Sequence, residues 1–311
     1  MQLMGIALGG GVAILWGTAD TIATISTRRL TTFTTTFISQ LSGFFILTIA
    51  WLFFSLLHPS RVFVLPINGI FIGIFTGVCN AVGYLALYRS LELGPIAITS
   101  PLSSTSAVVT LLLSMLLLQE RVSLFDGIAI TAVISGVIFS SIDIHGMRLL
   151  FKQKSGGLSA GKGIFWACVT PVAFGLVDIG IGGSTTLHGW FAPVFFAFAF
   201  SSLILTLLFG WRYSRRRGAK ASSSGVNILL QNPMGIAFAV GAGILECIAI
   251  LAFSMATQII KPGLTAAIAS NYSLIAILFG VFVLHERLMI NQKLGIGMVV
   301  SGLTLLALLR V

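Results

Sequence analysis

Residues 94–141 read GPIAITSPLSSTSAVVTLLLSMLLLQERVSLFDGIAITAVISGVIFSS, an apolar run, a sharp Glu120-Arg121 hinge and a second apolar run. Residues 262–309 repeat the pattern as PGLTAAIASNYSLIAILFGVFVLHERLMINQKLGIGMVVSGLTLLALL. Placing Glu120-Arg121 on Glu286-Arg287 sets Gly136 on Gly302 and brings Gly127 close to Gly295. A hairpin this apolar, written twice, indicates an internally duplicated membrane protein.

The rest of the 311-residue chain agrees. It is 57% hydrophobic and 8% charged, with a mean hydropathy of +1.05, whereas soluble domains carry about 25% charged residues. No water-soluble core absorbs that much apolar sequence, so the solvent is lipid. Residues 1–25 hold no Lys or Arg and run apolar for too long to be a cleaved leader, so they read as a retained first span. Cys79, Cys168 and Cys247 lie in apolar stretches without metal or disulfide spacing, and read as packing residues. The net charge of +10 comes from residues between spans, not from basic patches interleaved with aromatics. That excludes nucleic acid as a partner and makes the charges orientation signals.

Crossing the hydrocarbon takes about 20 apolar residues as helix, because backbone groups in lipid must bond within their own segment. Ten stretches qualify: 3–25, 33–57, 67–91, 96–118, 124–142, 163–183, 191–211, 234–255, 264–284 and 294–309. The duplication extends through them. Gly17-Thr18-Ala19-Asp20 in span 1 matches Gly175-Leu176-Val177-Asp178 in span 6, and Gly77-Val78-Cys79-Asn80 in span 3 matches Gly243-Ile244-Leu245-Glu246 in span 8. The unit is five spans, an odd number, so the second copy sits upside-down. The expected fold is an all-α integral membrane protein with ten transmembrane helices as two inverted five-helix repeats, 1–145 and 163–311, joined by a basic loop at 146–162.

Loop charges set the orientation. One face collects Arg28, Arg29, Arg89, Arg148, Lys152, Lys154, Lys162, Arg212, Arg215, Arg216, Arg217, Lys220, Arg287 and Lys293, leaving Arg61, Arg121, Lys261 and Arg310 for the other. Positive-inside logic places loops 143–162 and 212–231 in the cytoplasm and both termini outside. With no organelle-targeting segment in view, the expected location is the plasma (inner) membrane.

With Trp16-Gly17-Thr18 late in span 1, the two Glu-Arg pairs and the glycine-spaced helices after them, the chain resembles the drug/metabolite transporter superfamily, specifically its ten-span EamA-type members. The resemblance covers nearly the whole chain. It implies a secondary transporter, often an exporter of amino acids or other small metabolites, with a cavity between the halves. The family often places a proline in the helix before each Glu-Arg pair; here Pro101 comes early in span 4, and Ala267 holds the matching position. Some relatives are drawn with cytoplasmic termini, opposite to the charge count.

Asp20, Asp178 and Glu246 are the acids inside spans. An ionisable group in hydrocarbon costs at least about 2.5–3.5 kcal/mol, so a retained one faces a cavity or a partner. They are the candidate proton or cation sites, against the plainer reading that each hydrogen-bonds a neighbouring helix. No Lys or Arg lies deep in a span. Phosphorylated solutes therefore lack a counter-charge, and amine-bearing, zwitterionic or neutral solutes fit better. A lone carboxylate has freed backbone N–H groups as candidate partners, where span 4 is interrupted at Pro101 or at the start of span 9 near Gly263, with an ordinary kink as the plainer reading of Pro101. The runs Ser103-Ser104-Thr105-Ser106 and Ser270-Asn271-Tyr272-Ser273 read first as small polar packing faces. The alternative is a cavity wall, with Asn271 and Tyr272 the residues that reach farthest. Asn80, partner of Glu246 in the repeat, joins the candidates, as do Trp16 and Tyr84 for stacking on a solute. Trp51, Trp190 and Trp211 read as interfacial anchors, and the Glu-Arg pairs as structural turns. His58, His145, His188 and His285 are scattered, so no metal or cofactor is expected.

The reading that unites these features is an exporter of a small amine-bearing or zwitterionic metabolite, working by alternating access as a monomer and exchanging it for a proton. An uncoupled facilitator is the alternative. An intramembrane enzyme acting on lipid is a third, opposed by the lack of a catalytic dyad.

Overall fold

A computed structural model describes residues 1–57, 69–93, 96–119, 123–141, 157–217, 232–282 and 290–308. They form the helices α1 (Gln2–Arg29), α2 (Thr32–Leu57), α3 (Gly69–Leu93), α4 (Ile96–Ser104), α5 (Ser106–Leu117) and α6 (Leu124–Ser141). There follow α7 (Gly157–His188), α8 (Phe191–Arg217), α9 (Pro233–Ile259), α10 (Pro262–Ala269), α11 (Tyr272–Phe282) and α12 (Ile290–Leu308). No strand occurs among the described residues. The hinges Glu120-Arg121 and Glu286-Arg287, Arg61, His58, His145, His285, the C-terminal Arg310 and most of both basic loops lie outside them.

Each of the ten apolar stretches holds helix, and among the described residues seven helical runs are long and apolar enough to cross a membrane. Shorter apolar runs cover 102–117, 124–136 and 293–302. Polarity is arranged for lipid. Phe45, Ile49, Leu56 and Phe71 are more than half exposed, while Thr35, Thr36, Ser39, Gln40, Asn80 and Ser100 are sealed inside. Lipid tails are as apolar as leucine, so helix association in this setting depends on close packing of small residues and on buried hydrogen bonds.

The close approaches recur across the duplication. A Cβ added to Gly17 of α1 would lie 2.7 Å from the Tyr272 carbonyl of α11, and one added to its counterpart Gly175 of α7 would lie 2.5 Å from Val109 of α5. Gly136 of α6 and Gly302 of α12 meet each other's helices in the same reciprocal way, at Gly295 and Ala129. Gly77 packs α3 on α8, and Gly243 packs α9 on α2. Each of these glycines thus sets its helix against one from the opposite copy. Between α7 and α8, Gly189 takes a left-handed φ of +72° and donates its N–H to the Thr185 carbonyl at 2.9 Å, closing the helix end.

The two polar runs turn out to be helix breaks. Between α4 and α5, Thr105 bonds back three residues: its N–H meets the Leu102 carbonyl at 3.3 Å and its hydroxyl meets the same oxygen at 2.7 Å. Asn271, at the matching position in the second copy, does the same to the Ile268 carbonyl, at 3.3 Å by its N–H and 2.6 Å by its side-chain amide. A short polar side chain that captures a backbone carbonyl competes with the regular i→i−4 ladder. The interruption in span 4 therefore falls at Thr105, not at Pro101, while span 9 starts near Gly263 as expected and is broken further on, at Ser270–Asn271. The reason is local: the Thr105 and Asn271 side chains do the breaking, and both copies carry one. Trp51 and Trp190 also differ from simple anchors, because both pack against the buried cluster around Phe191 and Phe198.

Candidate functional site

A cavity lies between α1, α3, α5, α7, α9 and α11. Twelve residues line it, and ten of them form five pairs related by the duplication. The pairs are Trp16 with Phe174, Asp20 with Asp178, Asn80 with Glu246, Tyr84 with Ile250, and Ser106 with Tyr272; Leu87 and Val177 complete the wall. The pairing explains the construction. Each half supplies an aromatic, an acid and a polar group from equivalent turns, and the halves close on one shared space.

The acids are deeply placed, with Asp20 5%, Asp178 7% and Glu246 1% exposed. Each meets a hydroxyl from another helix. Ser100 donates to Asp20 Oδ2 at 3.3 Å, Thr110 donates to Asp178 Oδ2 at 2.9 Å, and the Tyr88 hydroxyl donates to Glu246 Oε1. Among the described residues, Glu246 Oε2 and Asn80 Oδ1 are buried without a hydrogen-bond partner. Asn80 donates its amide to Gln40 Oε1 at 2.8 Å, and Ser201 donates to that oxygen at 3.1 Å. A buried acceptor left unmet costs roughly 1–3 kcal/mol, so these oxygens favour an incoming donor.

The aromatic rings meet edge to face, except for the tilted pair Trp16–Phe253. Trp16 meets Tyr272 with centroids 6.0 Å apart and Phe253 at 5.8 Å; Tyr84 meets Phe174 at 5.0 Å and Tyr88 at 5.8 Å. Among the described residues, no Lys, Arg or His stands in the cavity wall. The space offers three carboxyls, unmet acceptors and aromatic faces, a combination suited to a cation or ammonium group.

Of the residues singled out from sequence, Trp16, Asp20, Asn80, Tyr84, Asp178, Glu246 and Tyr272 converge on this cavity. Asn271 does not: its amide is engaged by the Ile268 carbonyl at the helix break. The neighbouring break residues Ser104, Thr105 and Ser270 line a separate narrow crevice beside Ile134 and Ile138 of α6. Sequence reasoning passed over Tyr88, Gln40, Phe174 and Ile250. The duplication was a usable signal for two of them, since Phe174 matches Trp16 and Ile250 matches Tyr84. Tyr88 lies one and two helical turns beyond Tyr84 and Asn80, on the same face of α3.

The profile of the EamA-like transporter family, part of the drug/metabolite transporter superfamily, matches twice, over residues 3–142 and 161–308. No curated protein matches the chain. One solved crystal structure of a protein superposes with a TM-score of 0.67 over 98% of this chain and 96% of that one, at 16% identity, a likeness of fold. The double match covers nearly all of a multi-pass, lipid-facing helical chain, and the protein therefore belongs to the EamA-like transporter family of membrane transporters for small solutes.

Proposed function

We propose that the protein is a secondary-active exporter of a small amine-bearing or zwitterionic metabolite, exchanged for a proton by alternating access. The observation that carries this reading is the cavity wall: Asp20, Asp178 and Glu246 face one space that no basic side chain lines among the described residues. An ammonium group and a proton compete for the same carboxyls, and such competition is a direct way to couple their movements. Ten spans arranged as inverted five-helix halves, 1–145 and 163–311 with the linker 146–162, supply the rocking units. The reciprocal glycine contacts and the paired cavity residues support that arrangement. The binding partners are the solute, the proton and the bilayer, and one chain carries both halves of the cavity, so a monomer suffices.

The test is proton movement in proteoliposomes loaded with a pH dye, challenged with amino acids, polyamines and quaternary amines. A cognate solute is expected to drive protons in the wild type, with the response lost in Asp20→Asn or Asp178→Asn. Solute counterflow with no proton movement, identical in both variants, would leave an uncoupled facilitator. The hydrogen bonds from Ser100 and Thr110 favour that second reading, because they give each aspartate a structural partner.

Orientation has its own measurement. Epitope tags at either terminus are expected to be accessible on intact cells, while a tag within 218–231 is accessible only after permeabilisation. The reverse pattern would place the basic face outside the cytoplasm and reverse the direction proposed for transport.

A further inference from the structure

Beyond the cavity, buried polar groups continue along α2 towards the end of the bundle that carries Arg28, Arg29 and Arg89. Tyr88, which donates to Glu246, also stands 3.5 Å from Ser39 Oγ. Ser39 donates to the Thr36 carbonyl at 3.2 Å, and Thr36 donates to the Thr32 carbonyl at 2.8 Å. Thr32 in turn donates its hydroxyl to Glu92 Oε2 of α3. Glu92 pairs with Arg89 at 2.7 Å, and their side chains are 27% and 41% exposed, so this end of the row is open to the surface. Glu246 at the other end is sealed. Residues 32, 36 and 39 fall on one face of α2, one turn apart. Helix packing explains hydroxyls bonded to their own backbone. It does not explain why a buried carboxyl and a surface-exposed one sit at the two ends of the row.

We propose that Glu246 exchanges its proton with the Arg89 end of the membrane through a relay of Tyr88, Ser39, Thr36 and Thr32 that terminates on Glu92. The relay deepens the proton-coupled reading of the cavity and rests on it for its physiological meaning. A proton leaves the Glu246 carboxyl for Tyr88 Oη as the tyrosine passes its own proton to Ser39 Oγ. Each following hydroxyl, and each water between two of them, gains one proton and gives one up, and the carboxylate of Glu92 takes the last and releases it to water beside Arg89. Ser39 and Thr36 donate to backbone carbonyls, so the relay requires one ordered water between each pair of neighbouring α2 hydroxyls, whose Cβ atoms are about 5–6 Å apart. The other titratable groups around Glu246 are Asp20 of α1, Asp178 of α7, Tyr84 of α3 and the adjacent Cys247. Asp20, Asp178 and Tyr84 face the cavity with it, which makes the relay a branch leading away from the solute space.

The experiment is time-resolved infrared spectroscopy of the purified full chain in lipid nanodiscs after a pH jump. The Glu246 carbonyl band is assigned by its loss in Glu246→Gln. Tyr88→Phe and Thr32→Val are expected to slow its response by about a hundredfold, the lower end of what a positioned proton-transfer group contributes. Thr32→Ser, which keeps the hydroxyl, is expected to retain the wild-type rate. Wild-type rates in both Tyr88→Phe and Thr32→Val would overturn the relay, as would equal slowing in Thr32→Ser and Thr32→Val. Absence of a pH-responsive Glu246 band would overturn it too. Thermal unfolding of each variant checks that it is folded, and Thr32, at the far end of the row, tests the relay even if Tyr88→Phe does not fold. Proteoliposome proton flux with added solute separately judges the coupling reading, so failure of one is distinguishable from failure of the other.

Discussion

Glu246→Gln is expected to abolish solute-driven proton movement and to weaken binding of the transported amine, with the fold retained. Glutamine preserves the shape of the side chain, and its amide oxygen still accepts the Tyr88 hydroxyl that Glu246 Oε1 accepts in the wild type. What disappears is the negative charge and the exchangeable proton. Glu246 Oε2 has no partner among the described residues and faces the cavity, so the lost charge is the one an ammonium group would meet. A hydrogen bond to a charged group is worth about 1.5–3 kcal/mol, which corresponds to roughly a 10- to 150-fold loss of affinity. Calorimetric binding and proton flux, measured on the same preparation, check the two effects. Unchanged amine affinity in Glu246→Gln would remove this residue from the solute site and leave Asp20 and Asp178 to carry it.

The second large effect concerns a single methyl group. Gly243→Ala is expected to destabilise the protein by about 1–3 kcal/mol, the usual range for overpacking. The new Cβ would fall 2.6 Å from the Ser39 carbonyl carbon, an atom of the α2 backbone that cannot step aside alone. Relief requires α9 and α2 to separate, and these helices carry Glu246 on one side and Ser39 and Gln40 on the other. Transport should therefore fall together with stability. Two residues away, Gly241 has open space around the same position. Gly241→Ala should be neutral or stabilise by about 0.5–1 kcal/mol through helix propensity. Thermal unfolding of the pair in detergent is the measurement, and equal stability of the two variants would show that the α2–α9 approach is not as tight as described.

The two glycines also show how much of the molecule was legible beforehand. Gly243 and Gly77 were recognisable as a repeat pair from their neighbours, yet nothing in the string separates Gly243, pressed on a backbone, from Gly241, facing open space. The same division holds for the polar residues. Asp20, Asp178 and Glu246 stood out because a carboxyl in an apolar run is costly and needs a reason. Gln40, Ser100 and Thr110 did not, because a neutral polar residue in a membrane helix is common and its partner lies 40 to 80 residues away along the chain. Asn271, whose reading was divided between packing and a cavity wall, has its side-chain amide bonded to the Ile268 carbonyl at the helix break, a local contact that the sequence does not announce.

Taken alone, the sequence determined that the chain lives in lipid, that it is helical, that it is written twice, and which acids are out of place in an apolar span. These properties follow from composition and from periods along one strand of text, which need no knowledge of neighbours. The tertiary structure decided the convergence of seven candidates on one cavity, the breaks at Thr105 and Asn271, the partner of each acid, and the hydroxyl row from Glu246 to Glu92. Those depend on which helix faces which, and in a membrane that choice rests on close packing and hydrogen bonds between small and polar residues instead of on hydrophobicity. Nearly every face of such a helix is apolar, so the pattern that reveals a buried face in water is missing from the sequence.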